Sequence, residues 1–212
     1  MRTIPISIIL LVVSLCLFSC KEEKKKTKPA NTPKQTTQPG QAKSIDLQKL
    51  NRKATELKQY ATTKGFNTHY AFFIDFNVHS GRKRFVLYDL ENMKPISKSL
   101  VAHGQGSNYM NEEVEFSNIV NSNCSSPGKY KIGLKYSGRF GTAYKLHGLD
   151  ATNSRAFERF VVLHGHSCVP SDETWVGICR SDGCPTLNYD YFKKVQPIID
   201  QSRKPVLLYI YK

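Results

Sequence analysis

The sequence predicts a mainly β fold with a few helices, a β-sandwich or incomplete barrel. Apolar runs of five to eight residues recur along the chain, clusters of Gly, Pro, Asn and Ser separate them, and only two stretches carry a helical pattern. Many short strands with few helices favour a sandwich or barrel over a parallel α/β sheet, which needs a long helix after each strand. There is no internal repeat.

Leu47, Leu50, Ala54, Leu57 and Ala61 step by three and four, so they share one face of a helix that starts with Asp46 in its first turn and stops at Gly65. Beyond it the period falls to two. Residues His69 to Phe76 and Arg84 to Leu90 form strands joined by the polar turn His79 to Lys83, and Ser97 to His103 continues an antiparallel sheet. Asn108 to Glu115 and Asn121 to Gly128 are polar and turn-rich, loops at the rim of a cleft. Lys129 to Tyr136, Ala143 to Leu149, Arg159 to Leu163 and Val206 to Tyr211 are further strands. Asn188 to Gln201 is a helix interrupted near Pro197, which lacks the amide hydrogen the ladder needs.

The 212 residues suit one globular domain with terminal extras. Arg2, the apolar run Ile4 to Phe18 and the box Leu17-Phe18-Ser19-Cys20 read as a lipoprotein signal peptide over residues 1–19, cleaved before Cys20. A lipidated Cys20 anchors the chain to a membrane. Residues 20–44, built of Lys, Pro, Thr, Gln and Gly, form a tether without core-forming residues. The domain is then 45–212. Its charge stays basic: of the formal +14, the tether accounts for +5 and Arg2 for +1, leaving +8. Such a surface attracts an anionic polymer. An exported chain with no nucleic-acid motif makes nucleic acid the weak partner, and nothing in the sequence requires a cofactor.

The reactive side chains concentrate between Phe160 and Leu187: His164, His166, Cys168, Cys179 and Cys184. Ser181-Asp182-Gly183-Cys184 presents a thiol on a tight glycine turn, and His164 ends an apolar run. A thiol beside an imidazole is a nucleophile with its base, and an imidazolium lowers the thiol pKa. The backbone amides of Asp182, Gly183 and Cys184 suit a developing oxyanion. Asp182 works against this, since its charge opposes the thiolate. In an oxidising compartment Cys168 and Cys179 can pair as a disulfide, with Cys124 left over, and a Cys124–Cys168 pairing stays open.

His164-Gly165, followed about twenty residues later by Ser-x-Gly-Cys, resembles the signature of the L,D-transpeptidases, the YkuD-type cysteine enzymes of bacterial peptidoglycan. Arg180 before the serine and Pro185 after the cysteine resemble one branch, the murein L,D-transpeptidase catalytic-domain family. Ala102-His103-Gly104, Phe116-Ser117-Asn118, Ser125 to Tyr130, Tyr136-Ser137-Gly138 and Leu146 to Leu149 agree in order. The resemblance implies that Cys184 attacks the L,D bond of a tetrapeptide stem, releases D-Ala from a thioester acyl-enzyme and passes the acyl group to an amine or to water. It also implies that His164 is the base, oriented by a further group, that Ser181 positions the turn, and that Arg180, His103 and His147 lie toward substrate; His166, in the same segment, is a further substrate-side candidate that either lines the cleft or flanks it.

The chain is then expected in the cell envelope, on the outer membrane facing the periplasm, with surface export a rival suggested by Lys21-Glu22-Glu23. Two alternatives differ in kind. One is a wall-binding lipoprotein without catalysis; the other is a zinc site drawn from the His and Cys cluster.

Overall fold

A computed structural model describes residues 43–109 and 112–212. The expected signal peptide 1–19, Cys20 and, but for its last two residues, the tether 20–44 lie outside the described residues. No helix among the described residues is long and apolar enough to cross a membrane.

Helix α1 spans Leu47–Lys64. Asp46 precedes the helix as its N-cap, its carboxylate accepting from the Lys49 amide at 3.0 Å. Gly65 closes it in the left-handed conformation that glycine adopts without a Cβ penalty. Leu50, Ala54, Leu57 and Ala61 are buried, but Leu47 is half exposed and the buried residue at this end is Ile45, just before the helix.

The strands are β1 Tyr70–Asp75, β2 Phe85–Asp89, β3 Lys94–Ser99, β4 Val101–Ala102, β5 Gly128–Gly138, β6 Gly141–Gly148, β7 Val162–Gly165, β8 Thr186–Leu187 and β9 Leu207–Tyr211. They form one sheet in the order β3-β2-β1-β9-β5-β6-β7-β8-β4. Its two edge strands, β3 and β4, are separated in the chain by Leu100 alone, so the sheet curls into a nearly closed barrel. The mainly β expectation holds.

The central strands are buried on both faces. Ala71, Phe73, Val86, Tyr88 and Leu207 pack under α1. Phe72, Ile74, Phe85, Leu87, Tyr130, Leu146, Leu163 and Leu208 form the other core, with Phe192 and Val195 of helix α2, Tyr189–Asp200. Alternate residues of one strand thus serve two cores.

Four expectations change. The run Ser97 to His103 breaks at Leu100 into β3 and β4, which pair with strands at opposite ends of the sheet. The sheet is not wholly antiparallel: β1 pairs with β9 and β7 with β8 in parallel. Helix α2 continues through Pro197 to Asp200; that proline falls in the last turn, where the carbonyl it leaves unpaired belongs to solvent-facing Lys193. Strand β7 begins at Val162, because Phe160 takes φ of 55° and turns the chain instead of extending it.

Candidate active site

The site lies where β7, β8 and the turn before β8 meet. His164 stands opposite Thr186 in the parallel β7–β8 pair, which carries Cys184, two residues earlier, to the mouth of the same cleft. That cleft has a volume of about 150 Å³ and includes His164, Cys184, Thr186, Phe140, His166 and Arg180 in its lining.

The Ser181–Cys184 turn is held from several sides. The Ser181 amide donates to the His103 carbonyl at 2.9 Å, and Gln105 donates its amide to the Ser181 carbonyl at 2.8 Å. Ser181 Oγ accepts from the Gly183 amide at 3.2 Å and donates to the Cys184 carbonyl at 2.6 Å, the turn-positioning role expected of it. Gly183 has φ of 108°, and a Cβ there would meet the Cys124 carbonyl oxygen at 2.6 Å. Only glycine fits. The Gly183 amide, one of the three expected to face an oxyanion, is thereby committed to Ser181.

The thiol departs from expectation. Cys184 Sγ accepts from the Val162 amide at 3.4 Å and points its hydrogen at the Phe160 carbonyl at 3.8 Å. Among the described residues no hydrogen bond joins it to His164. Burial pushes the thiol up to about 11; the Val162 amide, Arg159 and Lys145 favour the thiolate, while Asp182 opposes it. The expected imidazolium effect is absent from the resting site. Desolvation is the physical reason.

His164 is buried, and burial lowers its pKa. Its Nδ1 donates to the Gly165 carbonyl at 3.1 Å, an oxygen that can only accept, so the neutral ring keeps its proton there. Nε2 then accepts from the Thr186 hydroxyl at 3.0 Å. The orienting group that the sequence left unnamed is this pair, Gly165 and Thr186. Phe140 stacks on the ring with centroids 5.2 Å apart. Thr186 and Phe140 were both missed; the only trace of Thr186 is its place two residues after Cys184, on the same side of a short strand.

The other candidates divide. His166 lines the cleft, its Nδ1 accepting from the Cys168 amide at 3.0 Å. Arg180 lines it too, but its guanidinium turns inward to the Ile178 carbonyl at 2.7 Å and faces Glu112 at 4.0 Å. His103 is a correction: its ring is buried beneath the cleft against Arg84 at 2.7 Å, so its backbone, not its imidazole, serves the site. His147 is not in the lining of the cleft; its ring stacks on Phe157 with centroids 4.8 Å apart.

Cys168 and Cys179 form a disulfide that ties together the loop between the two principal residues, and Cys124 remains a free, buried thiol. Two of the five candidate zinc ligands are thereby spent on each other. Among the described residues no group of three His, Cys, Asp or Glu side chains is placed to hold a metal.

Arg159, given no role by the sequence, ties down the loop from Ser117 to Ser126 beside the site. Its guanidinium donates to the carbonyls of Ser117 at 2.7 Å and Cys124 at 2.6 Å and to the hydroxyls of Ser126 and Ser122.

A thiol on a glycine turn and a neutral imidazole with an accepting nitrogen, both in one cleft, are the parts of acyl transfer. The family model for the YkuD_2 L,D-transpeptidase catalytic domain matches residues 41–211. The chain belongs to this family. As an L,D-transpeptidase domain it is a transpeptidase-type acyltransferase. Two solved structures are similar to it. The L,D-transpeptidase from Xylanimonas cellulosilytica (its residues 123–326) is 12% identical over 72% of this chain and 68% of that one, with a TM-score of 0.40. The L,D-transpeptidase from Stackebrandtia nassauensis is 15% identical over 80% and 68%, with a TM-score of 0.38. Among curated proteins the comparison found no match to this L,D-transpeptidase domain.

Proposed function

We propose that the chain is a lipid-anchored, cysteine-dependent L,D-transpeptidase of the cell envelope, acting on tetrapeptide stems of peptidoglycan. The observation that carries this reading is the convergence of Cys184 and the Thr186-bonded imidazole of His164 in one cleft.

In the reaction, Cys184 Sγ leaves its contact with the Phe160 carbonyl and gives its proton to His164 Nε2. The Thr186 hydroxyl has a second acceptor, the Cys184 carbonyl at 3.3 Å, and turning to it frees that nitrogen. Sulfur bonds to the carbonyl carbon before the terminal D-Ala, the Asp182 and Cys184 amides receive the oxyanion, and the C–N bond breaks as His164 protonates the departing amine. The thioester then yields to an amine, which forms a new amide, or to water, which trims the stem; sulfur leaves and recovers its proton. A stem amine gives a cross-link, and a protein amine gives attachment. Cys20 would hold the enzyme on the outer membrane, and residues 20–44 would give it reach.

The test is mass spectrometry of the chain with tetrapeptide muropeptides under conditions that keep Cys184 reduced. Loss of D-Ala and a Cys184 acyl-enzyme, both absent in Cys184→Ala, are expected. D-Ala release that survives this substitution would reject Cys184 as the nucleophile.

A further inference from the structure

An exposed aromatic face runs on from the cleft. A bulge in β5 between Ile132 and Lys135 shifts the side-chain alternation, so Tyr136 comes opposite Ala143. Ala143 in turn opposes His164, and Lys145 opposes Val162, so Tyr136 and Lys145 share the face that carries His164. The Lys145 ammonium lies 4.5 Å from the Tyr136 ring centroid, 5.2 Å from that of Phe160 and 6.0 Å from that of Phe157. Phe157 and Phe160 are 55% and 73% exposed, and His147 stacks on Phe157.

Three features mark this face as built for a ligand. Phe160 is a bulky residue held at φ of 55°, a conformation that costs about 1–3 kcal/mol and collects at functional sites. Its carbonyl touches the Cys184 thiol, so whatever lies on its ring lies beside the nucleophile. The face is also electropositive: Lys131 and Lys145 both act to lower the His147 pKa, and none of the ion pairs among the described residues uses either lysine.

We propose that Tyr136, Lys145, His147, Phe157 and Phe160 form a docking surface for a carboxylate-bearing peptide stem, with the carboxylate on the Lys145 ammonium and the aliphatic carbons on the phenyl rings. This rests on the reading of Cys184 as the nucleophile. The occupant follows from charge and continuity: an ammonium that no carboxylate among the described residues pairs with favours an anion, and a surface that ends at the thiol serves the molecule on which the thiol acts. The rings hold Lys145 in place, so the cation is pre-organised before a ligand arrives.

The test measures affinity by calorimetry in the Cys184→Ala background, using a synthetic tetrapeptide ending in D-Ala, with side carboxylates free or amidated. Lys145→Gln is expected to weaken the free-carboxylate peptide about tenfold, to leave the amidated peptide nearly unchanged, and Lys145→Arg is expected to restore most of the loss. Equal affinity of Lys145→Gln and Lys145 chains, or vesicles rich in anionic phospholipid binding this face in place of the peptide, would overturn the proposal. Acylation of wild-type Cys184 is followed separately. Peptide binding that depends on Lys145 without any acyl-enzyme would sink the catalytic reading and keep the surface; acylation with no Lys145 dependence would do the reverse.

Discussion

The Arg159 guanidinium donates to the Cys124 carbonyl at 2.6 Å, and that same oxygen lies 2.6 Å from where a side chain on residue 183 would begin. One carbonyl therefore both receives the cation that ties down its loop and closes the space behind the Ser181–Cys184 turn. Gly183→Ala is expected to displace the turn and lower turnover at least a hundredfold, while most of the fold survives, because the turn lies outside the two main cores. Retained activity, measured as D-Ala release, would show that the loop gives way easily.

Arg159→Ala should cost about 2–3 kcal/mol of stability, since it removes charge-assisted bonds to two carbonyls and leaves them half-buried. It should also slow Cys184 alkylation, because Arg159 favours the thiolate. Urea unfolding and iodoacetamide rates measure the two effects independently.

The resting thiol makes a prediction about pH. With its pKa pushed up to about 11 by burial, alkylation of the free enzyme should keep rising through pH 9 and 10 instead of reaching a plateau near neutrality. Asp182→Asn removes a charge that opposes the thiolate, so it should speed alkylation at pH 7.5 by a few-fold. A plateau near pH 7 would mean that His164 already activates the resting thiol.

Stability should fall on acidification. His103, His147 and His164 all have pKa values lowered by burial, so the folded chain keeps them neutral while the unfolded chain takes up protons. Their contribution is whole above the ordinary value of 6.5 and is lost as pH drops through the lowered values. A melting temperature at pH 5 equal to or above that at pH 7.5 would contradict these assignments.

The Cys168–Cys179 disulfide closes a short segment, with a sequence separation of 11, and should contribute about 2–4 kcal/mol. Reductant should therefore lower the melting temperature. Because Cys168 lines the cleft, it should change the rate of D-Ala release as well. Thiol titration of the unfolded chain, with and without prior reduction, shows whether the pair is oxidised.

Much of this was present in the order of residues. The helical spacing of Leu50, Ala54, Leu57 and Ala61, the glycine before Cys184 and the apolar run ending at His164 act through local geometry, which a sequence displays directly. The pairing of β1 with β9 and of β7 with β8 was hidden, because parallel neighbours are joined by long connections with no signal of their own. Thr186 became a partner of His164 only when that parallel register set the two side by side. The inward turn of His103 and Arg180 follows from their partners, the Arg84 guanidinium and the Ile178 carbonyl, and the direction of the Cys184 thiol from the fold of Phe160 into a turn. The sequence by itself determined the reactive groups and the class of fold, because residue type sets chemistry and periodicity sets the buried face. Only the tertiary structure decided which groups meet and how their pKa values move, because burial and long-range register belong to the folded chain.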